Sequence, residues 1–490
     1  MKNMSQNSLN LFDLLEIEND SALLDFSCPV TDIPLWPQIR VPFFRMLIAD
    51  LYYDKNISGR SSAHVSVIRA TMTMAKSIAH NFSQVAFRDA KSDICLMTDG
   101  VVNQLVDGGW FNRLGDYFAM VAPEQSLAIE DHSEWKWQFP RHHQRVLFHA
   151  PLQAINSVRG KLFRRQTHLC VARQLVLLVR ARAIKELNWD MGDEREAYLI
   201  QMLSRKATAI PYQYHSYRKV LEMVDPRLLM VGAGCYGPLS ALIAAAKDMG
   251  ITTAEYQHGA VSAGHDAYNF APTISSSDLY KKTLPEYFLG YGTWWNSQIN
   301  APLTKVSIGN PHRDKKLSLL SNSHESQDVI LILSDGIEFD KYMEFALQLS
   351  LLSAKTGLRV VIRPHPLERT VVYSKYGKKH ALVEIDQNAD IYPSLRQAYA
   401  VVSEVSTGLF EAVGLAKKIF IWDTPKARFT FPTLPLQTFE SVEELHSLIK
   451  DEVSGQMSDS QIGSIWEADW KQNYFKFLEV CGLRGVGKHV

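Results

Sequence analysis

The sequence predicts an α/β chain of two Rossmann-like domains facing one another across a cleft. Three observations carry that prediction. Short Val/Ile/Leu runs alternate with helical stretches in two series, one ending near residue 318 and one opening at Val329, and continuous apolar runs suit parallel strands covered on both faces. A serine-rich polar stretch without periodicity, Leu319 to Asp328 (LLSNSHESQD), separates the series as a linker would. The chain has 490 residues, 46% of them hydrophobic, enough for more than one core.

Composition narrows the class further. Lys and Arg number 52 and Asp and Glu 52, so no global field draws the chain to nucleic acid, and any charged ligand must be met locally. Cys28, Cys95, Cys170, Cys235 and Cys481 are far apart and odd in number, which argues against a disulfide framework or a structural zinc site and reads as reduced cytosolic thiols. Asp13, Glu16, Glu18, Asp20 and Asp25 break up the region a secretion signal would need. The uncharged run Leu228 to Ala246 approaches membrane-span length, but Gly232, Gly234, Gly237 and Pro238 interrupt it. The expectation is a cytoplasmic enzyme or binding protein.

In the first series the apolar runs are Asp93–Met97, Tyr117–Val121 and Arg145–His149, followed by a helix over Cys170–Lys185. Strands are then expected at Arg227–Val231, Thr252–Tyr256, Tyr287–Gly290 and Lys305–Ile308, separated by helical lengths as parallel crossovers require. The second series reads Val329–Leu333, a helix over Tyr342–Lys355, Arg359–Ile362, a helix near Tyr392–Ala398, Ala400–Val402, a helix over Thr407–Ala416, and Lys418–Trp422. The domains are therefore placed at 1–318 and 329–455, with a helical tail over 456–490. In open sheets of this kind ligands bind beyond the carboxyl ends of the strands.

Several motifs stand at those ends. Gly232-Ala233-Gly234-Cys235-Tyr236-Gly237 matches G-x-G-x-x-G, with Glu255 ending the next strand where a dinucleotide enzyme holds its ribose. A tight strand-to-helix turn needs the same glycines. Gln257, His258, His265 and Asp266 cluster after Thr252–Tyr256, where an imidazole near neutral pKa can accept a proton. Arg363-Pro364-His365-Pro366 presents Arg363 and His365 rigidly between prolines, suited to phosphate. Ser406, Thr407 and Gly408 stand at a helix start, a place for an anion, and Glu411 lies one turn in, within reach of a ribose hydroxyl pair. Ile129-Glu130-Asp131-His132 with Trp135 and Trp137 adds a carboxylate pair whose mutual repulsion can raise one pKa. The bases rank His258 first, then Asp266 and Glu130.

Tyr256-Gln257-His258-Gly259, Ile362-Arg363-Pro364-His365-Pro366 and Ser403-Glu404-Val405-Ser406-Thr407-Gly408-Leu409-Phe410-Glu411-Ala412 resemble bacterial GT-B glycosyltransferases of capsule and lipopolysaccharide synthesis. In style they are similar to transferases using CMP-activated Kdo or sialic-type sugars and to CDP-glycerol glycerophosphotransferases. The resemblance spans about residues 225–425. It implies that 1–318 binds the acceptor and 329–455 the nucleotide-sugar donor, that His365 contacts the donor phosphate, that Ser406 and Thr407 cap it, that Glu411 holds the ribose, and that His258 is catalytic. The sialic-type enzymes take their base from an acidic-acidic-glycine motif in the first domain, whereas here Ser334-Asp335-Gly336 opens the second.

The expected reaction is an inverting transfer of a nonulosonate or Kdo from its CMP donor to a glycan or lipid-linked glycan acceptor. The alternatives are transfer from CDP-glycerol and an NAD-dependent oxidoreductase using residues 232–237. No Asp-x-Asp pair follows a strand, so neither metal nor other cofactor is expected, and Arg363, His365 and the helix start at Thr407 would meet the leaving charge. Lys161, Arg164, Arg165, Arg173, Arg180 and Arg182 form a basic cluster beside apolar residues, compatible with peripheral contact at the inner face of a membrane.

Overall fold

A computed structural model of the chain describes residues 9–52, 66–87, 90–320 and 327–485, and sixteen strands lie among these described residues. In the first domain β1 is Ile94–Asp99, β2 Asn103–Val106, β3 Gly109–Asn112, β4 Ser126–Asp131, β5 Val146–Phe148, β6 Leu228–Val231, β7 Thr252–Tyr256, β8 Tyr287–Gly290 and β9 Thr304–Ser307. Seven of them form a parallel sheet in the order β5-β4-β1-β6-β7-β8-β9, and β2 pairs with β3 in a separate antiparallel hairpin. All four residues of β6 are buried, as expected of a central strand with a layer on each face.

The second domain has β10 Val329–Leu333, β11 Arg359–Arg363, β12 Lys379–His380, β13 Val383–Ile385, β14 Ala398–Ser403, β15 Lys418–Trp422 and β16 Gln437–Phe439. Their order is β12-β13-β11-β10-β14-β15-β16, parallel except for the β12–β13 edge. Both sheets thus double back from a central strand, at β1/β6 in one and β10/β14 in the other. The crevices opposite those reversals are where such sheets bind ligands.

Two parallel α/β domains are therefore present. The run Tyr117–Val121 becomes a short helix, Asp116–Ala119, instead of a strand, and the helix expected over Thr407–Ala416 is a single turn, Gly408–Glu411. Three helices, Ala150–Leu162, Gln166–Leu187 and Gly192–Val224, fill the crossover from β5 to β6. The tail beyond residue 455 returns to the first domain. Its helix Trp470–Val480 buries Tyr474, Phe477 and Leu478 in the cluster that holds Ile94, Leu96 and Met230. Between the domains Trp466 wedges against Tyr291 and under Arg313, and donates its indole N–H to Phe410 O at 3.1 Å.

Candidate functional site

A cavity of about 700 Å³ opens between the carboxyl edges of the two sheets. The first domain contributes the turn after β1, Asn103 and Gln104 at the start of β2, Arg113 just past β3, and His312 and Lys316 on the helix Pro311–Leu319. The second contributes Ser334 after β10, Arg363 to Pro366 and Arg369 after β11, Ala389 to Tyr392, Ser406 to Gly408 and Glu411. All seven residues predicted for donor binding, Arg363, His365, Pro366, Ser406, Thr407, Gly408 and Glu411, therefore share one wall.

The local reasons are specific. His365 follows the buried strand β11, and its backbone N–H donates to Ser334 Oγ (2.8 Å) and Glu368 Oε1 (2.9 Å). Gly336, at φ +85°, leaves room for the ring, because a Cβ there would stand 2.7 Å from His365 Nδ1. Leu367 N–H donates to Nδ1 at 3.3 Å, which makes Nδ1 the acceptor and leaves the neutral ring's proton on Nε2 as a donor for the cavity. Burial lowers this imidazole's pKa and Arg369 adds to the effect, while Asp335 opposes it, so the ring is neutral at pH 7.

Arg363 is placed differently from expectation. Its guanidinium is buried, ion-paired with Asp386 and bonded to the carbonyls of Asn388 (3.0 Å) and Ala389 (3.2 Å). It shapes the loop that forms the cavity floor. The helix-start expectation also changes: one turn of helix has little dipole, and Ser406 Oγ accepts from Gly408 N–H at 3.2 Å. Thr407 is exposed at the rim. Glu411 accepts from the Tyr392 hydroxyl at 2.5 Å, and burial raises its pKa against that bond and the nearby Arg313.

Three cations not anticipated from sequence line the cavity: Arg113, Lys316 and Arg369. Lys316 pairs with Asp390 at 2.6 Å. Arg113 has no hydrogen-bonding or ion-pairing partner among the described residues, yet its charge depresses both His258 and His312, each pushed down to about 4, chiefly by burial. Nothing in the spacing around Arg113 marks it; only the hairpin β2–β3 carries it to the cleft.

His258 and Asp266 do not line this cavity. His258, partly exposed at the end of β7, lies between the hydroxyls of Tyr236 and Tyr268, each at 3.4 Å, and Tyr268 donates to buried Glu255 at 2.6 Å. Asp266 is buried 3.9 Å from Arg45, with Oδ2 lacking a hydrogen bond among the described residues. Glu130 is fully buried, held by Arg141 (3.0 Å) and Asn103 (3.0 Å), and burial pushes it up to about 7. It supports the cavity wall through Asn103 and offers no surface to a substrate. Trp137 packs on Phe148 and His132.

The glycine-rich turn is closed. Gly237, at φ +99°, would place a Cβ 1.8 Å from Pro37 O, and Gly234 would place one 2.5 Å from Pro285. Glu255 accepts from Cys235 N–H at 2.9 Å, so the carboxylate expected to hold a ribose ties the turn to its own strand. Neither the turn nor Glu255 is open to a dinucleotide. Asp335, Glu338 and Glu404 converge closely enough for a cation, and Lys426 Nζ takes that place at 2.7, 2.8 and 2.7 Å.

No protein-family profile and no curated protein matches the chain. Among solved structures it is similar to UDP-GlcNAc 2-epimerase from Neisseria meningitidis bound to UDP-GlcNAc, at 13% identity and TM-score 0.39 over 79% of this chain and 100% of that one. The Methanocaldococcus jannaschii UDP-GlcNAc 2-epimerase gives 9% and 0.44 over 79% and 99%, and the wall teichoic acid polymerase TagF 10% and 0.36 over 86% and 95%. Likeness of this degree assigns neither substrate nor reaction.

Proposed function

We propose that the chain is a transferase that holds a nucleotide-activated donor by its phosphate in the interdomain cavity and passes a sugar to a hydroxyl acceptor with inversion. The observation that carries this reading is the cavity's lining: Arg113 and Arg369, without ion-pair partners among the described residues, beside Lys316 paired with Asp390 and Arg363 paired with Asp386, with His365 in the same wall. A cationic wall that needs no rearrangement stabilises charge developing on a departing phosphate.

In the proposed step the acceptor oxygen forms a bond to the anomeric carbon while the bond from that carbon to the phosphate oxygen breaks. The electron pair leaves with the phosphate, where Arg369, Arg113, His365 and the Thr407 hydroxyl meet it. The base we assign is His258, partly exposed and neutral but outside the cavity lining; burial and the charges of His265, Arg113 and Arg45 lower its pKa to about 4, so it accepts the acceptor's proton only weakly. Glu411 and Tyr392 suit the ribose hydroxyls. The reaction as proposed uses protein cations where other enzymes use a divalent ion. A CMP-activated nonulosonate or Kdo is the donor we favour, with a lipid-linked or free glycan as acceptor. A diphosphate donor such as CDP-glycerol is the second reading, since Arg113 and Arg369 offer a second cation beyond the need of one phosphate.

Thermal-shift titration with CMP, CDP, UDP, GDP and NAD tests the proposal, since selective binding stabilises the folded state. Cytidine nucleotides should raise Tm, and Arg369→Ala should abolish the rise. A rise with NAD alone, or one unaffected by Arg369→Ala, would sink the reading. Hydrolysis of CMP-sugars against CDP-glycerol separates the two donors.

A further inference from the structure

The helix Val67–Phe87 presents its polar side inward. Thr73 Oγ1 donates to Trp135 O at 2.7 Å, and Ser77 Oγ bonds His132 Nε2 at 2.7 Å. Asn81 both donates to Phe148 O and accepts from Phe148 N–H, each at 2.8 Å. β5 is the edge of its sheet, so the Asn81 bonds to Phe148 satisfy backbone groups that an edge leaves open. At about 100° per residue, the opposite face carries Val67, Ile68, Met72, Ile78, Phe82 and Val85, and these are 44–79% exposed.

The patch continues onto the neighbouring helix Ala150–Leu162. Val85 and Ile155 wall the same apolar cavity of about 240 Å³, and Val158, Leu162 and Phe163 beyond it are exposed. Residues 66–87 and 150–169 contain Arg69, Lys76, Arg159, Lys161, Arg164 and Arg165 and no Asp or Glu, in a chain whose charges balance overall. Of the basic cluster expected from sequence, Arg180 pairs with Asp190, Asp193 and Glu196, and Arg182 with Asp20, so those two belong to the fold. Among the described residues no helix is long and apolar enough to cross a membrane.

We infer that this face docks on an anionic lipid bilayer, the apolar stripe entering the headgroup–acyl boundary and the exposed cations Lys76, Lys161, Arg164 and Arg165 lying over lipid phosphates. Apolar residues flanked by cations without acids are what such a surface attracts. A second copy is a poor occupant, because a two-fold contact sets these cations near their own images. The inference stands apart from the donor reading, since lipid binding requires no turnover.

Co-sedimentation of the full chain tests it, using vesicles of phosphatidylethanolamine with phosphatidylglycerol and, separately, phosphatidylcholine alone. Binding should occur on the anionic vesicles, weaken with salt, and fall by about tenfold or more in Phe82→Ser and in the double variant Lys161→Glu with Arg164→Glu. Lys476→Glu, on the distant helix Trp470–Val480, should bind as the parent does. Exposed positions leave the melting temperature unchanged, and if Phe82→Ser fails that check the charge reversal decides alone. A parent protein that stays in the supernatant overturns the inference, as do variants that bind undiminished or a dimer that Phe82→Ser dissociates.

Discussion

Lys316 and Asp390 pair at 2.6 Å across the cleft, joining the last helix of the first domain to the loop before Tyr392 in the second. Burial pushes the Asp390 carboxyl up, but the Lys316 bond and the Tyr392 N–H hold it below the usual carboxylate range. The depressed pKa places its contribution above that range, and the contribution is lost as pH falls through the lowered value.

Lys316→Ala should lower the melting temperature by no more than a few degrees, because a partly exposed pair is worth at most about 1 kcal/mol. Calorimetric titration should nevertheless show cytidine nucleotide affinity falling roughly 10–100-fold, the loss expected for one charge-assisted contact. An unchanged Kd would remove Lys316 from the donor site.

His365→Ala should reduce kcat on the order of 10² if Nε2–H meets the leaving phosphate. His365→Gln keeps an amide donor near that position and should recover part of the loss. Equal losses in both variants, measured by donor turnover, would argue that the ring matters for shape alone.

Arg113→Ala should raise the titration midpoint of His312 from about 4, followed by imidazole NMR. The rise should fall short of the ordinary 6.5, because burial, the larger cause, stays in place. His258 should move in the same direction. Still imidazoles would mean that Arg113 points away from the cleft in solution.

Arg141→Met leaves Glu130 and Asp116 buried without their shared cation. The cost should be about 3–5 kcal/mol at neutral to alkaline pH. Burial raises these carboxyls to about 7 and about 6 against the opposing Arg141. A raised folded pKa stabilises below the unfolded value and loses that contribution as pH rises through the folded one. Urea melts of the variant should therefore be less destabilised at pH 5 than at pH 8, and the reverse order would contradict the assignment.

Much of the second domain is legible in its own residues. Val329–Leu333 and Lys418–Trp422 appear as strands at the expected limits, because an unbroken β-branched and aliphatic run between turn residues has one stable use. β4 is not announced by an apolar run, since Ser126–Asp131 ends in two carboxylates. Its Glu130 is tolerable only because Arg141, from beyond a long loop, reaches back to it. Arg363 illustrates the converse: its place after a strand is readable, but its partner Asp386 lies on another strand's loop.

The amino-acid order alone specified two wound sheets and the residues of one cavity wall, Arg363 to Pro366 and Ser406 to Glu411, because each is a local matter of strand, proline and turn; residues 321–326 of the expected linker lie outside the described residues. The tertiary structure decided what chain-local patterns cannot encode. It brought Arg113, His312 and Lys316 to face that wall, closed the glycine turn with Pro37, filled a carboxylate cluster with Lys426, and turned the apolar side of Val67–Phe87 outward. Each depends on contacts between residues distant in sequence, where packing and charge pairing, rather than local propensity, set the free energy.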